Sequence, residues 1–302
     1  MKIKKLRKFG VLLLAGMMLL LSPMQVFADR EDAIIDKPYV SLGADLNETE
    51  KATVLGLLGI QESDLLDYTV AKITNADEHK YLDAYLDSSV IGTRALSSVL
   101  VRGKEEGYGI KVTTKNISYC TVGMYQNALA TAGIKNADII VAGPFQISGT
   151  AGLVGAIKSY ENMTGQAIDD KDVDVATNEL VITSELGEAF QDSGKAEELV
   201  GFIKNEVVSK DLTEEEINSL VTQAADEFQV NLSDEDREKI VQLMEQIKGL
   251  DLNVDDLKEQ VSGLYEKIKG LDLNIDLDKE QVDGFLSNLF NKIVEFFKNL
   301  FN

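Results

Sequence analysis

The order of elements within residues 107–165 constrains this fold more than any other feature of the chain. Residues 137–143 form a short, almost continuously apolar run, which is typical of a strand covered on both faces. Residues 108–115 alternate in polarity and contain several β-branched side chains, so they predict a second strand. Thr121 can cap a helix between the two. A strand, a crossover helix and a buried strand predict a parallel pair with a right-handed connection.

Three further runs extend this expectation to a whole sheet. Residues 39–42 and 68–74 predict short strands with helices between and after them. Residues 96–102 predict another strand, and the turn at 104–107 is expected to join it to the strand that follows as a hairpin. Pro144 should end the apolar strand, because proline lacks the amide that a central ladder needs. The expected fold class is α+β or α/β, with a mixed four- to five-stranded sheet and flanking helices.

The composition changes after residue 165, since this part of the chain holds 33 of the 51 acidic residues. Thr213 with Glu216, and Ser233 with Asp236, have the spacing of capping boxes, which predict helix starts. We therefore expect an all-helical acidic C-terminal region. The expected organisation is a signal peptide at 1–28, a mixed α/β domain at 29–165, a helical extension at 166–248 packed on or beside that domain, and a repeat-containing amphipathic helical tail at 249–302.

The tail contains a repeat, because the heptapeptide at 247–253 recurs at 268–274. Apolar residues three and four apart suit a coiled coil, whereas Gly249 and Gly270 can end helices and so suit broken helices. Both alternatives stay open. The end of the chain has an apolar helical face suited to the body of the protein, to a second copy or to a membrane surface. The candidate interaction residues are Phe285, Leu289, Phe290, Ile293, Phe296, Phe297 and Leu300.

Residues 1–28 have the organisation of an export signal. Five Lys and Arg residues precede an apolar run at 11–21, and a cleavage point near Ala28 follows. We therefore expect a secreted, extracytoplasmic protein. Loss of the five positive charges takes the formal net charge from −21 to −26, which argues against nucleic acid as a partner because phosphates require Lys and Arg. An unidentified protein or envelope component is the expected partner.

Cys120 and His79 are the single cysteine and the single histidine of the chain. A nucleophilic pair requires them in contact, and a buried structural cysteine is the commoner role. His79 lies in the charged run 77–80, which is expected to be exposed. One His and one Cys cannot supply the ligands of a typical zinc site. The sequence therefore assigns no catalytic, cofactor-binding or metal-ligating residue.

Two other segments match ligand sites in part. The turn at 143–150 follows a strand and opens a helix, so its amides suit an anion, but it lacks the lysine and glycine spacing of a nucleotide loop. The acidic segment that starts at Asp272 imitates a calcium loop, and the one that starts at Asp251 does so less well. Both lack the glycine expected at the sixth position. No cofactor is expected, with calcium at these two loops as the alternative.

Several segments, taken in order, resemble a known family. Residues 39–46 (YVSLGADL), 117–121 (ISYCT) with 124–128 (MYQNA), and 137–145 (ADIIVAGPF) with 148–151 (SGTA) are similar to the YpuA-like family of exported Gram-positive proteins. The resemblance extends over roughly residues 36–248. It implies export and a shared fold. The family's domain has no established activity, so the resemblance implies no cofactor and no catalytic residue.

Together these observations favour a secreted, non-enzymatic binding or interaction protein of the cell envelope or the extracellular space. An extracytoplasmic, hydrolase-like enzyme that uses Cys120 or the turn at 143–150 is one alternative. A protein held at the membrane surface by its C-terminal amphipathic helix is another.

Overall fold

The computed structural model describes residues 37–210, 212–250, 252 and 257. Within them, a mixed five-stranded sheet is flanked by helices. The strands are β1 (Tyr39–Gly43), β2 (Thr69–Ile73), β3 (Ser98–Gly103), β4 (Ile110–Ile117) and β5 (Ala137–Ile147). The helices are α1 (Glu48–Leu58), α2 (Asn75–Leu82), α3 (Ser88–Ile91), α4 (Val122–Thr131), α5 (Thr150–Thr164), α6 (Asp170–Phe190), α7 (Ser193–Lys210), α8 (Glu214–Glu227) and α9 (Asp234–Lys248), with a 3-10 helix at Glu62–Asp67.

The strand order in the sheet is β2-β1-β3-β5-β4. β1 pairs with β2, and β5 with β4, in parallel, whereas β3 runs antiparallel to its neighbours β1 and β5. Four strands therefore point the same way and end at the same edge of the sheet. The predicted parallel pair on either side of α4 is confirmed, and so is the mixed sheet with flanking helices.

The predicted hairpin between β3 and β4 is wrong, because β5 lies between these two strands. Val101 of β3 and Val112 of β4 both pair with Ile139 of β5. β5 is strongly apolar, and its residues 137, 139, 141 and 142 are fully buried. A strand of this composition gains most from a central position with a partner on each side. The turn at 104–107 thus connects strands that are two positions apart.

β5 also continues past Pro144, contrary to the prediction. The ladder with β3 ends at Ala142, so the missing amide of proline lies beyond the part of β5 that is paired on both sides. The ladder with β4 resumes where Ile117 pairs with Ile147, after an irregularity that includes Asn116 with a φ of 58°. This extension carries the end of β5 beyond the rest of the sheet.

Helices cover both faces of the sheet. On one face α5 packs on β1, β2 and β3, and α4 packs on β4. Val99, Ile139 and Leu153 belong to the core on this side. On the other face α1 packs on β3 and β5, around a core that includes Val40 and Leu100. The sheet is therefore the middle layer between two sets of helices.

The C-terminal helices add a further layer on the α4 side. α6 packs on α4, α7 packs on α6 and α4, and α9 packs on α6, α7 and α8. The predicted helix starts at Thr213 and Ser233 are confirmed, since each hydroxyl accepts a hydrogen bond from the amide three residues on. In both boxes the carboxylate at that third position bonds back to the cap. Gly249 ends α9.

Several sequence predictions lie outside the described residues. They are the signal peptide at 1–28, the calcium-like loops that start at Asp251 and Asp272, the second copy of the repeat at 268–274, and the apolar face from Phe285 to Leu300. These stay predictions. Within the described residues, no helix combines the length and the apolar character that a membrane crossing requires.

Candidate functional site

A cleft of about 340 Å³ opens at the edge of the sheet where β1, β2, β4 and β5 end. Ligands of α/β sheets bind at the carboxyl ends of parallel strands, because the connections to the helices meet there. The walls of this cleft come from α2, from α3 with the loop that leads to β3, and from the turn between β5 and α5. The lining includes Glu78, Ile91, Arg94, Ser97, Phe145 and Thr150.

Glu78 is the most unusual residue of the lining. Its exposed fraction is 2%, and its Oε1 has no hydrogen-bond partner among the described residues. Burial, with the charges of Asp45 and Asp77 added to it, raises the pKa of Glu78 to about 8. A buried oxygen without a partner costs about 1–3 kcal/mol. A carboxyl group that bears this cost in a cleft is a candidate ligand-binding group.

The start of α2 turns Glu78 inwards. The Thr74 hydroxyl accepts from the amide of Asp77, and the Asp77 carboxylate accepts from the amide of Thr74 (2.9 Å). This capping box sets the phase of the helix, so that Glu78 and Leu82, four residues apart, form its buried face. Although burial opposes the ionisation of Asp77, its hydrogen bonds to Lys158 of α5 and to Thr74 lower its pKa to about 2.

The loop between α3 and β3 forms a second wall and is fastened to the end of β1. A side chain at Gly43 would collide with the carbonyl of Ala95, so glycine permits this close approach. The Asp45 carboxylate accepts from the Ala95 amide (2.8 Å). The Arg94 guanidinium donates to the Asp45 carbonyl (2.8 Å) and to the Glu50 carboxylate (2.6 Å). Arg94 therefore lines the cleft with its charge matched by Glu50.

The third wall is the turn from β5 to α5. Gly149 is the N-cap of α5 with a φ of 93°, and a side chain there would collide with Tyr125. The Tyr125 hydroxyl donates to the Gly149 carbonyl (2.5 Å), which fastens the turn to the core. Phe145 is 49% exposed. It belongs to the lining of the cleft, as do the hydroxyl-bearing residues Ser148 and Thr150.

Of the candidates from the sequence, the turn at 143–150 lines the cleft, whereas Cys120 and His79 do not. Cys120 is 2% exposed within the core around α4, and burial raises the pKa of its thiol to about 12. Its backbone amide donates to the Ser148 carbonyl (3.1 Å), so Cys120 supports the turn through its backbone. His79 Nδ1 pairs with Asp83 Oδ1 at 2.5 Å on the surface of α2.

Sequence reasoning missed Glu78, because residues 77–80 look like one exposed charged run. That expectation is wrong for Glu78, which is buried, although Lys80 is exposed. The signal that identifies it is the capping-box spacing of Thr74 and Asp77. This spacing fixes the start of α2 and therefore places Glu78 on the same face as the apolar Leu82.

A second buried polar cluster joins α4, α6 and α7 outside the lining of the cleft. Lys204 and Glu179 have side chains that are 2% and 0% exposed, and Lys204 Nζ lies 2.8 Å from Glu179 Oε1. Lys204 Nζ also donates to the Asn127 carbonyl (2.9 Å) and to the Thr131 hydroxyl (3.2 Å), while that hydroxyl donates to Glu179. The ammonium group therefore makes two hydrogen bonds in addition to its ion pair with Glu179. We interpret this cluster as a structural tie between helices.

Comparison with known proteins identifies the family of the chain. The family described as "Protein of unknown function (DUF1002)" matches residues 42–264, a range that contains all three walls of the cleft. The "Uncharacterized protein YpuA" of Bacillus subtilis (strain 168) is 37% identical over 244 residues, which cover 80% of this chain and 81% of that protein. No solved structure matches the chain. The resemblance to the YpuA-like family is thereby confirmed, and the chain belongs to the DUF1002 family.

Proposed function

We propose that this chain is an exported, non-enzymatic binding protein of the bacterial cell envelope and that the cleft at the carboxyl ends of the strands is its binding site. One observation supports the proposal: Glu78, whose buried Oε1 has no hydrogen-bond partner among the described residues, belongs to the lining of the cleft. A ligand that engages this oxygen removes the cost of leaving it unpaired.

The chemistry of the lining favours binding over catalysis. The thiol of Cys120 is enclosed in the core, and its raised pKa keeps it protonated, and therefore unreactive, at neutral pH. The His79 imidazole is engaged with Asp83. The lining contains the acidic residue Glu78, several hydroxyl-bearing residues and Phe145, a composition that suits the recognition of a small polar molecule.

Export and an envelope location rest on the sequence. The basic and apolar organisation of residues 1–28 is that of a signal peptide with cleavage near Ala28. The acidic mature chain suits a soluble protein that avoids anionic polymers unless it recognises a particular group on them. The partner in this proposal is accordingly a component of the envelope that carries a small polar epitope.

Sedimentation with purified cell walls tests the proposal. The mature protein is mixed with membrane-free walls of Bacillus subtilis, and the pelleted fraction is measured over a range of wall concentrations. We expect saturable pelleting that weakens about tenfold in Phe145→Ala, because a half-exposed ring is lost from the cleft. Leu66→Ala is the matched control, since Leu66 is 87% exposed but lies outside the lining. Wild-type protein that stays in the supernatant would contradict the proposal.

Attachment to a membrane surface or self-association through the final helix is a separate proposal. It is supported by the apolar face that includes Phe285, Phe290 and Phe297, together with the few charges on the opposite face. The test is co-sedimentation of the full mature chain, and of a chain lacking residues 279–302, with neutral and anionic liposomes. Equal pelleting of the two forms would refute membrane attachment.

A further inference from the structure

Building on the proposed function, we infer that the cleft recognises the primary ammonium group of a small amino-acid-like ligand, with Glu78 as the counter-ion. The ligand class follows from three properties of the described residues: the charges around Glu78, the groups that surround the cleft, and the size of the cleft.

The charges around Glu78 favour a cation. Asp45 and Asp77 both act on Glu78 as like charges. The positive groups nearby are already matched, since Lys158 pairs with Asp77 and Arg94 pairs with Glu50. Among the other elements packed on α2, α3 has no charged residue. α6 supplies Asp170, which pairs with Lys80, and Asp174, which accepts from Tyr85. The α6 residue Lys171 donates to the Gly249 carbonyl.

A monovalent organic cation fits this site better than a metal ion. A protein site for a divalent metal combines several carboxylate, imidazole or thiolate ligands. Within the described part of the chain, no group of three or more His, Cys, Asp and Glu is placed to hold a metal ion. A single carboxylate next to hydroxyl acceptors matches an ammonium group, which has three donors and a single charge. Ser97 and Thr150 provide such hydroxyls in the same lining.

The N-terminus of α5 indicates which second functional group the ligand carries. This end of the helix carries a positive partial charge and attracts acceptor atoms. Its cap Gly149 supplies no side-chain acceptor for the first amides of α5. Thr150, the first residue of α5, lines the same cleft as Glu78. A ligand with an ammonium group and a carboxylate or carbonyl a few bonds away satisfies both ends. The volume of about 340 Å³ lies at the small end of ligand pockets, which suits a single amino acid or the N-terminus of a peptide.

Binding of this kind is coupled to a proton. Because the pKa of the free Glu78 carboxyl is about 8, the ionised form that pairs with an ammonium group is the minority form at pH 6 to 7. The affinity should therefore rise about tenfold per pH unit below pH 8 and level off above it. Binding in this range should release a proton from the protein. A ligand held by its carboxylate alone would show no such rise.

NMR titration of the labelled mature protein with alanine and with lactate tests the inference, because these molecules differ in the ammonium group and share the carboxylate. We expect alanine to shift the amide signals of Gly92, Ser148 and Thr150, and its apparent affinity to rise about tenfold from pH 6 to pH 7. Lactate should leave these signals in place. Glu78→Gln should weaken alanine binding about tenfold or more. Glu185→Gln makes the same side-chain substitution outside the lining and should bind like the wild type.

The outcomes separate this inference from the proposed function. Equal binding of alanine and lactate, or affinity that does not change with pH, would overturn the ammonium assignment and leave the cleft as a binding site. Absence of any shift, with Phe145-dependent pelleting on cell walls, would also overturn the inference while the proposed function stands. The pH dependence is measured on wild-type protein, so a failure of Glu78→Gln to fold does not remove the test.

Discussion

Replacing Lys204 with methionine should destabilise the protein more than any exposed charge change, because it leaves the Glu179 carboxylate buried without its counter-ion. In the wild type, Lys204 Nζ lies 2.8 Å from Glu179 Oε1 and also donates to the Asn127 carbonyl and the Thr131 hydroxyl. Removal of the ammonium leaves the carboxylate with the hydroxyl of Thr131 as its hydrogen-bond donor among the residues that the structure describes. Loss of one partner of a fully buried pair costs about 3–5 kcal/mol, which is a large part of the about 5–15 kcal/mol typical of folded domains.

Urea denaturation at pH 7, followed by far-UV circular dichroism, measures this change. Lys239→Met is the matched control, because the Lys239–Glu185 pair is about 40% exposed on both sides and should contribute about 1 kcal/mol or less. The double variant Glu179→Leu/Lys204→Met removes both charges and should recover most of the loss, since an apolar pair of similar volume often replaces a buried ion pair at little cost. If Lys204→Met costs no more than Lys239→Met, or if the double variant is less stable than the single one, the reasoning is refuted.

Three further predictions concern single sites. The raised pKa of Glu78 makes the folded state lose stability as the pH rises from 4.5 through about 8. Glu78→Gln should therefore gain stability relative to the wild type over that interval, up to about 5 kcal/mol above pH 8. A gain that is the same at pH 5 and pH 8.5 in urea melts would contradict this. Burial raises the pKa of the Cys120 thiol to about 12, so little of the reactive thiolate is present at pH 8. Cys120 should therefore react with iodoacetamide about a thousandfold more slowly in the native protein than in urea. Rapid labelling of the native protein would contradict this prediction. Gly43→Ala should cost about 1–3 kcal/mol, because the new methyl group would collide with the backbone of Ala95 and Leu96. Gly56→Ala, which faces open space, should stabilise α1 by about 0.5–1 kcal/mol. Equal midpoints of thermal unfolding for the two variants would refute the clash.

Local structure was predictable from the sequence wherever one short segment contains all the interacting groups. The caps at Thr213 and Ser233 lie where the polar residue and its partner three positions on predict them, since both ends of each hydrogen bond belong to the same turn of helix. Thr121 caps α4 as expected. The apolar run in β5 likewise predicts a strand covered on both faces. These features depend on neighbours in the chain, so tertiary context did not change them.

The order of strands was decided only by the tertiary structure. The segment at 104–107 has the turn residues of a hairpin, yet β5 lies between the strands that it connects. Burial of an apolar strand between two partners outweighs the local preference of a turn. Pro144 is tolerated for the same reason, because the position of a missing amide matters only where a partner strand is present.

The candidate site shows most clearly which features depend on the local sequence and which depend on tertiary packing. The spacing of Thr74 and Asp77 in the sequence is enough to start α2 after Thr74 and to place Glu78 on the same helical face as Leu82, although our sequence analysis did not draw this conclusion. Only the packing of α2 against α5, with the loop that contains Arg94 across the cleft, decided that this face is buried and that Oε1 of Glu78 has no hydrogen-bond partner in the described part of the chain. The pKa of Glu78 depends on groups from other elements, such as Asp45, and on the loss of water. Periodicity along one helix carries no information about either, because both arise from residues that are distant in sequence and close in space.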